Sequence, residues 1–310
     1  MLGGANLTTN SGGTHANSVQ MELRKRLSNG LTFSTSYTWA NAYIQQRFGF
    51  ARPLEAVAQV GQIGNVQHAL KANWLYELPF GEGKRWAGGS GGLMGALVGG
   101  WSINGVARIQ TGEMLDFGNV RLVGMTQDDL QKAIKLRVSS NGQLFILPDD
   151  ILQNTVKAFQ VSPTSATGYG ALGAPTGAYL APANGPDCIE TSPGFGDCGV
   201  RSLVVNGPKL VRFDLVAAKR VKIQGSWSAE FRVEMLNALN SPYFNPGQNA
   251  GKTGIPLGMS TTYTAPGGPV LTGTPVNNAS AGTSVDSFRL TDLLGDNTSR
   301  IIQVVWRVRW

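Results

Sequence analysis

Counted back in twos from the end, Trp310, Val308, Trp306, Val304 and Ile302 form an unbroken apolar row, while Arg309, Arg307, Val305, Gln303 and Ile301 carry the polar residues. A strand sends alternate side chains to opposite faces, so the pattern predicts a strand over 299–310 with one face fit for lipid and one for water. The same alternation recurs upstream. Trp227, Ala229, Phe231, Val233 and Met235 oppose Ser228, Glu230, Arg232 and Glu234; Val211, Phe213, Leu215 and Ala217 oppose Arg212 and Asp214. A tight basic turn near 221–226 joins these two strands. Further strands are predicted at 96–111, where Trp101, Ile103, Gly105, Ala107 and Ile109 share parity around residues such as Arg108, and at 66–78, with Leu70, Ala72, Trp74, Tyr76 and Leu78 on one face. The first pair is a hairpin: Met21 and Leu23 alternate with Glu22, Arg24 and Arg26, Asn29-Gly30 makes the turn, and Leu31, Phe33, Tyr37 and Trp39 follow. Trp86 to Ala107 is uncharged and long enough to span a membrane as a helix, but its eight glycines and alternating second half predict strand.

Seven long strands result, and their connections alternate in length. Short ones fall at 28–30, 79–93 and 221–226; long ones fall at 45–65, 112–207 and 241–298. Membrane barrels keep short turns on the periplasmic side and long loops outside, whereas a soluble sandwich has no reason to gather every long loop at one end. An amphipathic strand of a soluble sandwich is the alternative for any single segment. The fold class expected is therefore all-β: a partial transmembrane antiparallel β-barrel with long extracellular loops. The insertion at 112–207 has contents of its own. Thr126-Gln-Asp-Asp129 starts a helix carrying Leu130, Ala133 and Ile134, and Pro148-Asp149-Asp150 starts a second carrying Ile151, Leu152, Thr155, Val156 and Phe159. A Gly/Pro-rich run at 162–186 and two cysteines follow, so the loop is expected to be a compact lid.

Composition supports strands and turns: Gly occurs 41 times and charged residues are only 15%. The net charge of +7 admits nucleic acid as a partner, but the basic residues are scattered along alternate strand positions and in turns, which excludes it. Cys188 and Cys198 flank a short Gly/Pro loop, which suits a local disulfide in an oxidising compartment; two free thiols are the alternative. The opening residues carry no secretory signal. His15 and His68 are far apart without metal-ligand spacing, and no metal or cofactor is expected. No nucleophile elbow, P-loop or dinucleotide motif occurs, so no enzyme is expected. Glu230 and Glu234, with Arg232 between them, read as alternating charge down a barrel wall rather than a catalytic pair. The loop acids Asp128, Asp129, Asp149, Asp150, Asp187 and Asp197 follow no ordered calcium-loop spacing.

Several blocks carry a resemblance: Leu-Pro-Phe-Gly-Glu-Gly-Lys-Arg-Trp86, Gly-Gly-Trp-Ser-Ile-Asn-Gly105 running to Gln-Thr-Gly112, Leu-Pro-Asp-Asp-Ile-Leu152, Ala-Pro-Ala-Asn-Gly-Pro-Asp-Cys188, Arg212-Phe-Asp-Leu215, and Glu230-Phe-Arg-Val-Glu-Met-Leu-Asn-Ala-Leu-Asn240. In this order they resemble the C-terminal barrel of TonB-dependent outer-membrane receptors, specifically the Oar-like kind with an N-terminal carboxypeptidase-regulatory-like domain. The resemblance implies a barrel of about 22 strands closed by a plug and energised by the TonB complex. No plug fits before residue 16, and seven strands are too few to close a barrel, so 1–310 is expected to be the C-terminal part of such a receptor. Expected partners are outer-membrane lipid, the barrel-assembly machinery and, through the portion not present, the TonB complex. Trp306, Val308 and Trp310 would form the assembly signal at a periplasmic C-terminus. Glu22, Arg24, Arg108, Arg212, Asp214, Glu230, Arg232 and Glu234 would face the lumen. An adhesive or structural surface barrel without transport is the alternative, and a secreted glycan-binding β-protein a more distant one.

Overall fold

A computed structural model describes residues 12–47, 54–58, 66–89, 91–117, 120–160, 162, 164–182, 186, 188, 203–223, 225–244, 290 and 299–310. Its dominant feature is one antiparallel sheet built from β1 (Gly13–Ser28), β2 (Leu31–Arg47), β3 (Leu54–Ala58), β4 (His68–Glu77), β5 (Trp101–Gln110), and three further strands reached after a long insertion. The insertion holds β6 (Met114–Asp116), β7 (Val120–Val123), β8 (Arg137–Val138), β9 (Leu144–Phe145), β10 (Tyr179–Pro182) and β11 (Val204–Asn206). Beyond it come β12 (Leu210–Lys222), β13 (Ser228–Leu236) and β14 (Ile301–Arg309). Three helices occur among the described residues: α1 (Gly92–Val98), α2 (Gln127–Ala133) and α3 (Asp149–Phe159). The sheet order is β1-β2-β4-β5-β12-β13-β14, with β3 added beside β2.

The seven long strands stand where alternation predicts them, and each pairs with its neighbour in sequence among those seven. Asn29 and Gly30 both take positive φ (53° and 76°), the geometry a two-residue hairpin turn needs to match strand twist. The short connections lie together at one end of the sheet, which the register also assigns to Trp101, Trp227 and Trp310, through Lys219↔Trp101 and Ser228↔Arg309. The long connections leave from the opposite end. β5, at 10 residues, is about 34 Å long at about 3.4 Å per residue. A tilt of about 40° reduces its height to about 26 Å, close to the apolar band of a membrane barrel.

Two elements depart from the sequence expectation. Residues 92–98 form a helix, so the strand placed at 96–111 begins only at Trp101. Leu93, Met94, Leu97 and Val98 recur at helical spacing, and the backbone is brought back sharply by Gly81 against Gly99. A Cβ on Gly81 would lie 2.5 Å from the Gly99 Cα. The connection at 45–65 also contributes a strand, β3, which extends β2 past the end of β4.

The buried core does not lie in the sheet. Its described members include Leu115, Phe117, Leu130, Phe145, Leu152, Val156 and Leu180, all within the insertion, with Leu290 added from the last long connection. α3 turns Ile151, Leu152, Thr155, Val156 and Phe159 inward, the row predicted from spacing. α2 starts at Thr126, whose hydroxyl accepts from Asp129 N–H while Thr126 N–H donates to the Asp129 carboxylate at 3.0 Å. Those hydrogen bonds from Thr126 hold the Asp129 carboxyl below the usual carboxylate range. Leu290 N–H donates to Leu144 O at 2.8 Å, tying the two long connections together. Most of 241–298 lies outside the described residues, as does Cys198.

Candidate functional site

The register divides the sheet into two chemically opposite faces. One face carries Leu23, Phe33, Trp74, Ile103, Phe213, Val233, Val304 and Trp306 at successive strand positions. These side chains are turned outward and are not packed into a core: Leu23 is 60% exposed, Trp306 67% and Trp310 82%. A sheet that exposes its apolar face while both described hydrophobic clusters sit in its long connections is built for a solvent other than water. Trp74 folds its ring over its cross-strand partner Gly105, where a Cβ would come within 2.1 Å of the indole. Aromatic pairs continue the surface, with ring centroids 6.0 Å apart for Phe231 and Trp306 and 6.2 Å for Trp227 and Trp310.

The opposite face is polar and ion-paired. Arg220 donates to Glu230 at 2.8 Å, Arg232 lies 3.6 Å from Glu230, and Arg232 pairs with Glu234 at 2.8 Å. Gln303 extends the row by donating to Glu234. Arg212 pairs with Asp214 at 3.0 Å, and Asp214 also accepts the Asn237 N–H at 2.8 Å. Arg24 and Glu22 pair on β1, and Arg108 donates to Gln110 at 2.6 Å. All eight residues expected to face inward thus lie on this one face. A hollow of about 1080 Å³ lies between this face and the connection that carries α1, and touches Glu77, Asn104, Arg220, Glu230, Arg232 and Arg307 from five strands. Asn104 Oδ1, buried in this wall, has no protein partner among the described residues. Trp306, Val308 and Trp310 lie on the other face, toward the apolar exterior.

An apolar face, an ion-paired face opposite it and a band about as tall as the hydrocarbon core of a membrane suit a barrel wall. Residues 1–268 match the family described as the outer membrane beta barrel domain. The chain belongs to that family. It is an outer-membrane β-barrel protein, and the two faces of its sheet follow from that setting. No curated protein matches it. Among the described residues no helix is long and apolar enough to cross a membrane, which is the expected state of affairs in a chain that crosses with strands.

Several partners escaped the sequence reading. Arg220 completes the ion-pair row and Gln303 hydrogen-bonds to its end, and their parity with Arg212 and Arg309 was the available signal. Asn237 and Asn240 both take positive φ (48° and 51°), and Asn240 Oδ1 accepts Arg300 N–H at 3.0 Å. The Asn-Ala-Leu-Asn240 block therefore closes the base of the last long connection, joining the end of β13 to the start of β14. His68 accepts or donates at 2.8 Å to Tyr37 at the loop end of the apolar face. Cys188 is disulfide-bonded. Tyr243, in the loop beyond β13, is buried, which pushes its hydroxyl above the ordinary tyrosine range.

Proposed function

We propose that this chain is the wall and the extracellular face of a TonB-dependent receptor of the Oar-like kind, serving active uptake of a solute. The observation that carries the reading is the continuous ion-paired row Arg220–Glu230–Arg232–Glu234 on the polar face. Charges held in fixed pairs along an inner wall suit a lumen filled by a polar plug and crossed by a polar solute. The motif blocks sit at structurally demanding places, which supports the family likeness: Gly81 makes the close approach to Gly99, and Asn237 and Asn240 shape the base of a long connection. In this reading the short turns and Trp310 face the periplasm, the insertion at 112–207 stands outside the cell, and the protein carries out no catalysis. Its partners are outer-membrane lipid, the assembly machinery and the TonB complex.

The insertion, packed around Phe117, Leu130 and Leu152 with Leu290 added from the last long connection, favours one second reading, a surface adhesin. Uptake separates the two. Cells with the gene, without it, and without TonB are grown in a defined mixture, and compounds removed from the medium are followed by mass spectrometry. A compound depleted only when both the gene and TonB are present supports transport. Identical depletion in all three strains, with attachment to surfaces lost in the gene deletion, establishes the adhesin instead.

A further inference from the structure

We propose that α1 is an interfacial helix that seats Leu93, Met94 and Leu97 in the headgroup–acyl boundary of the leaflet at the turn end of the sheet. The helix is two-sided. Gly92, Gly95 and Ala96 line the hollow of the polar face, whereas Leu93, Met94 and Leu97 are 86%, 62% and 69% exposed. Three large apolar side chains from so short an element have no protein cover among the described residues.

The fixing of the helix identifies its occupant. Leu97 O accepts from Trp101 Nε1 at 3.1 Å and from Lys219 Nζ at 2.9 Å, and both donors belong to the apolar face of the sheet. Lys219 also donates to Gly99 O and lies 5.3 Å from the Trp101 ring centroid. A lysine in an apolar row is costly in hydrocarbon unless its ammonium is drawn to the interface and satisfied. Here the last carbonyls of α1 satisfy it. The exposed side of the helix is therefore continuous with the lipid-facing surface, at the level of Trp101, Trp227 and Trp310. Tryptophan collects at that level in membrane barrels, and an amphipathic helix there lies in the interface plane. The occupant is the lipid of that leaflet. The inference rests on the outer-membrane setting and not on whether the barrel transports.

The test uses the full-length protein extracted from outer membranes and reconstituted in vesicles of phosphatidylethanolamine and phosphatidylglycerol, with or without bromine on the upper acyl chain. Single cysteines at Met94→Cys, Glu82→Cys and Val304→Cys are labelled with an environment-sensitive fluorophore. Position 304 reports the middle of the lipid face, and 82 an exposed turn residue. The expected result is blue-shifted emission at 94 that is lost in brominated vesicles, with 82 unaffected. Blue-shifted emission at 94 without quenching means that a protein surface covers the helix, and overturns the proposal. Quenching at 304 while 94 behaves like 82 overturns the helix assignment alone. Absence of quenching at both 94 and 304 removes the membrane setting along with it.

Discussion

Gly105 shows how one residue sets the outer surface of the wall. Trp74 lies across it, so the glycine is required by packing, since any Cβ would enter the indole. Gly105→Val is expected to displace the ring and to cost about 1–3 kcal/mol, as overpacking does, with the lower end favoured because the ring is free to swing into lipid. The measurement is the temperature at which the folded band is lost on unheated gels. Adding Trp74→Ala should recover most of the loss; failure to recover would mean that Gly105 serves the backbone instead. Asp129 makes a different point. Hydrogen bonds from Thr126 lower its pKa in the folded loop relative to the unfolded chain, so its contribution is complete above the unfolded value of about 3.9 and disappears as pH falls through the lower folded value. Amide exchange of α2 is expected to accelerate as pH drops below about 4 after correction for intrinsic rates. In Asp129→Asn that extra acceleration should be absent. Thr126→Ala, which removes the cap itself, should destabilise the start of α2 by about 1 kcal/mol at neutral pH.

At the scale of elements, the chain has two kinds of structure held by different means. The insertion folds around buried side chains, with Phe117 and Leu152 both fully enclosed. Phe117→Ala should cost about 3–5 kcal/mol there, enough to loosen the insertion while leaving the sheet intact. Protease added to intact cells should then cut within 112–207, with the folded barrel band retained; loss of that band would show that wall and insertion fold as one unit. The contrast explains what was legible in the sequence. Seven strands were readable because every second residue meets lipid, an environment that tolerates few exceptions, and α3 was readable because one side of it meets a core. The helix at 92–98 was divided between a short connection and the start of a strand because glycines diluted the helical spacing of Leu93, Met94 and Leu97. β3 lay hidden in a connection, since five residues seldom declare their pairing. That the eight charged residues share one face followed from parity alone, but the bond between Arg220 and Glu230 depends on the register of β12 against β13. That register is fixed by the turn at 223–227, and alternation within one strand does not contain it.

For the whole molecule, the membrane takes the place of a core, so the chain must be delivered to lipid before its outer face has anything to pack against. The terminal residue is where that requirement is most exposed. Trp310 is 82% exposed, and the ring contact described for it is with Trp227, at 6.2 Å. Two roles are open to it, an aromatic of the interfacial belt or an assembly signal read together with Trp306 and Val308, and magnitude separates them. Near the membrane interface a charged side chain costs only about 0–1 kcal/mol, so a belt residue changed to Asp should leave most of the protein assembled. If Trp310 is read by the assembly machinery, Trp310→Asp should instead abolish insertion, with the chain accumulating unfolded and being degraded in the periplasm. Trp310→Phe should restore insertion, because an aromatic is again presented. Trp227→Ala removes the same ring contact without touching the terminus and should leave insertion near normal. Equal loss in Trp227→Ala and Trp310→Asp would reduce the role to packing, and unchanged surface levels in Trp310→Asp would refute the signal outright.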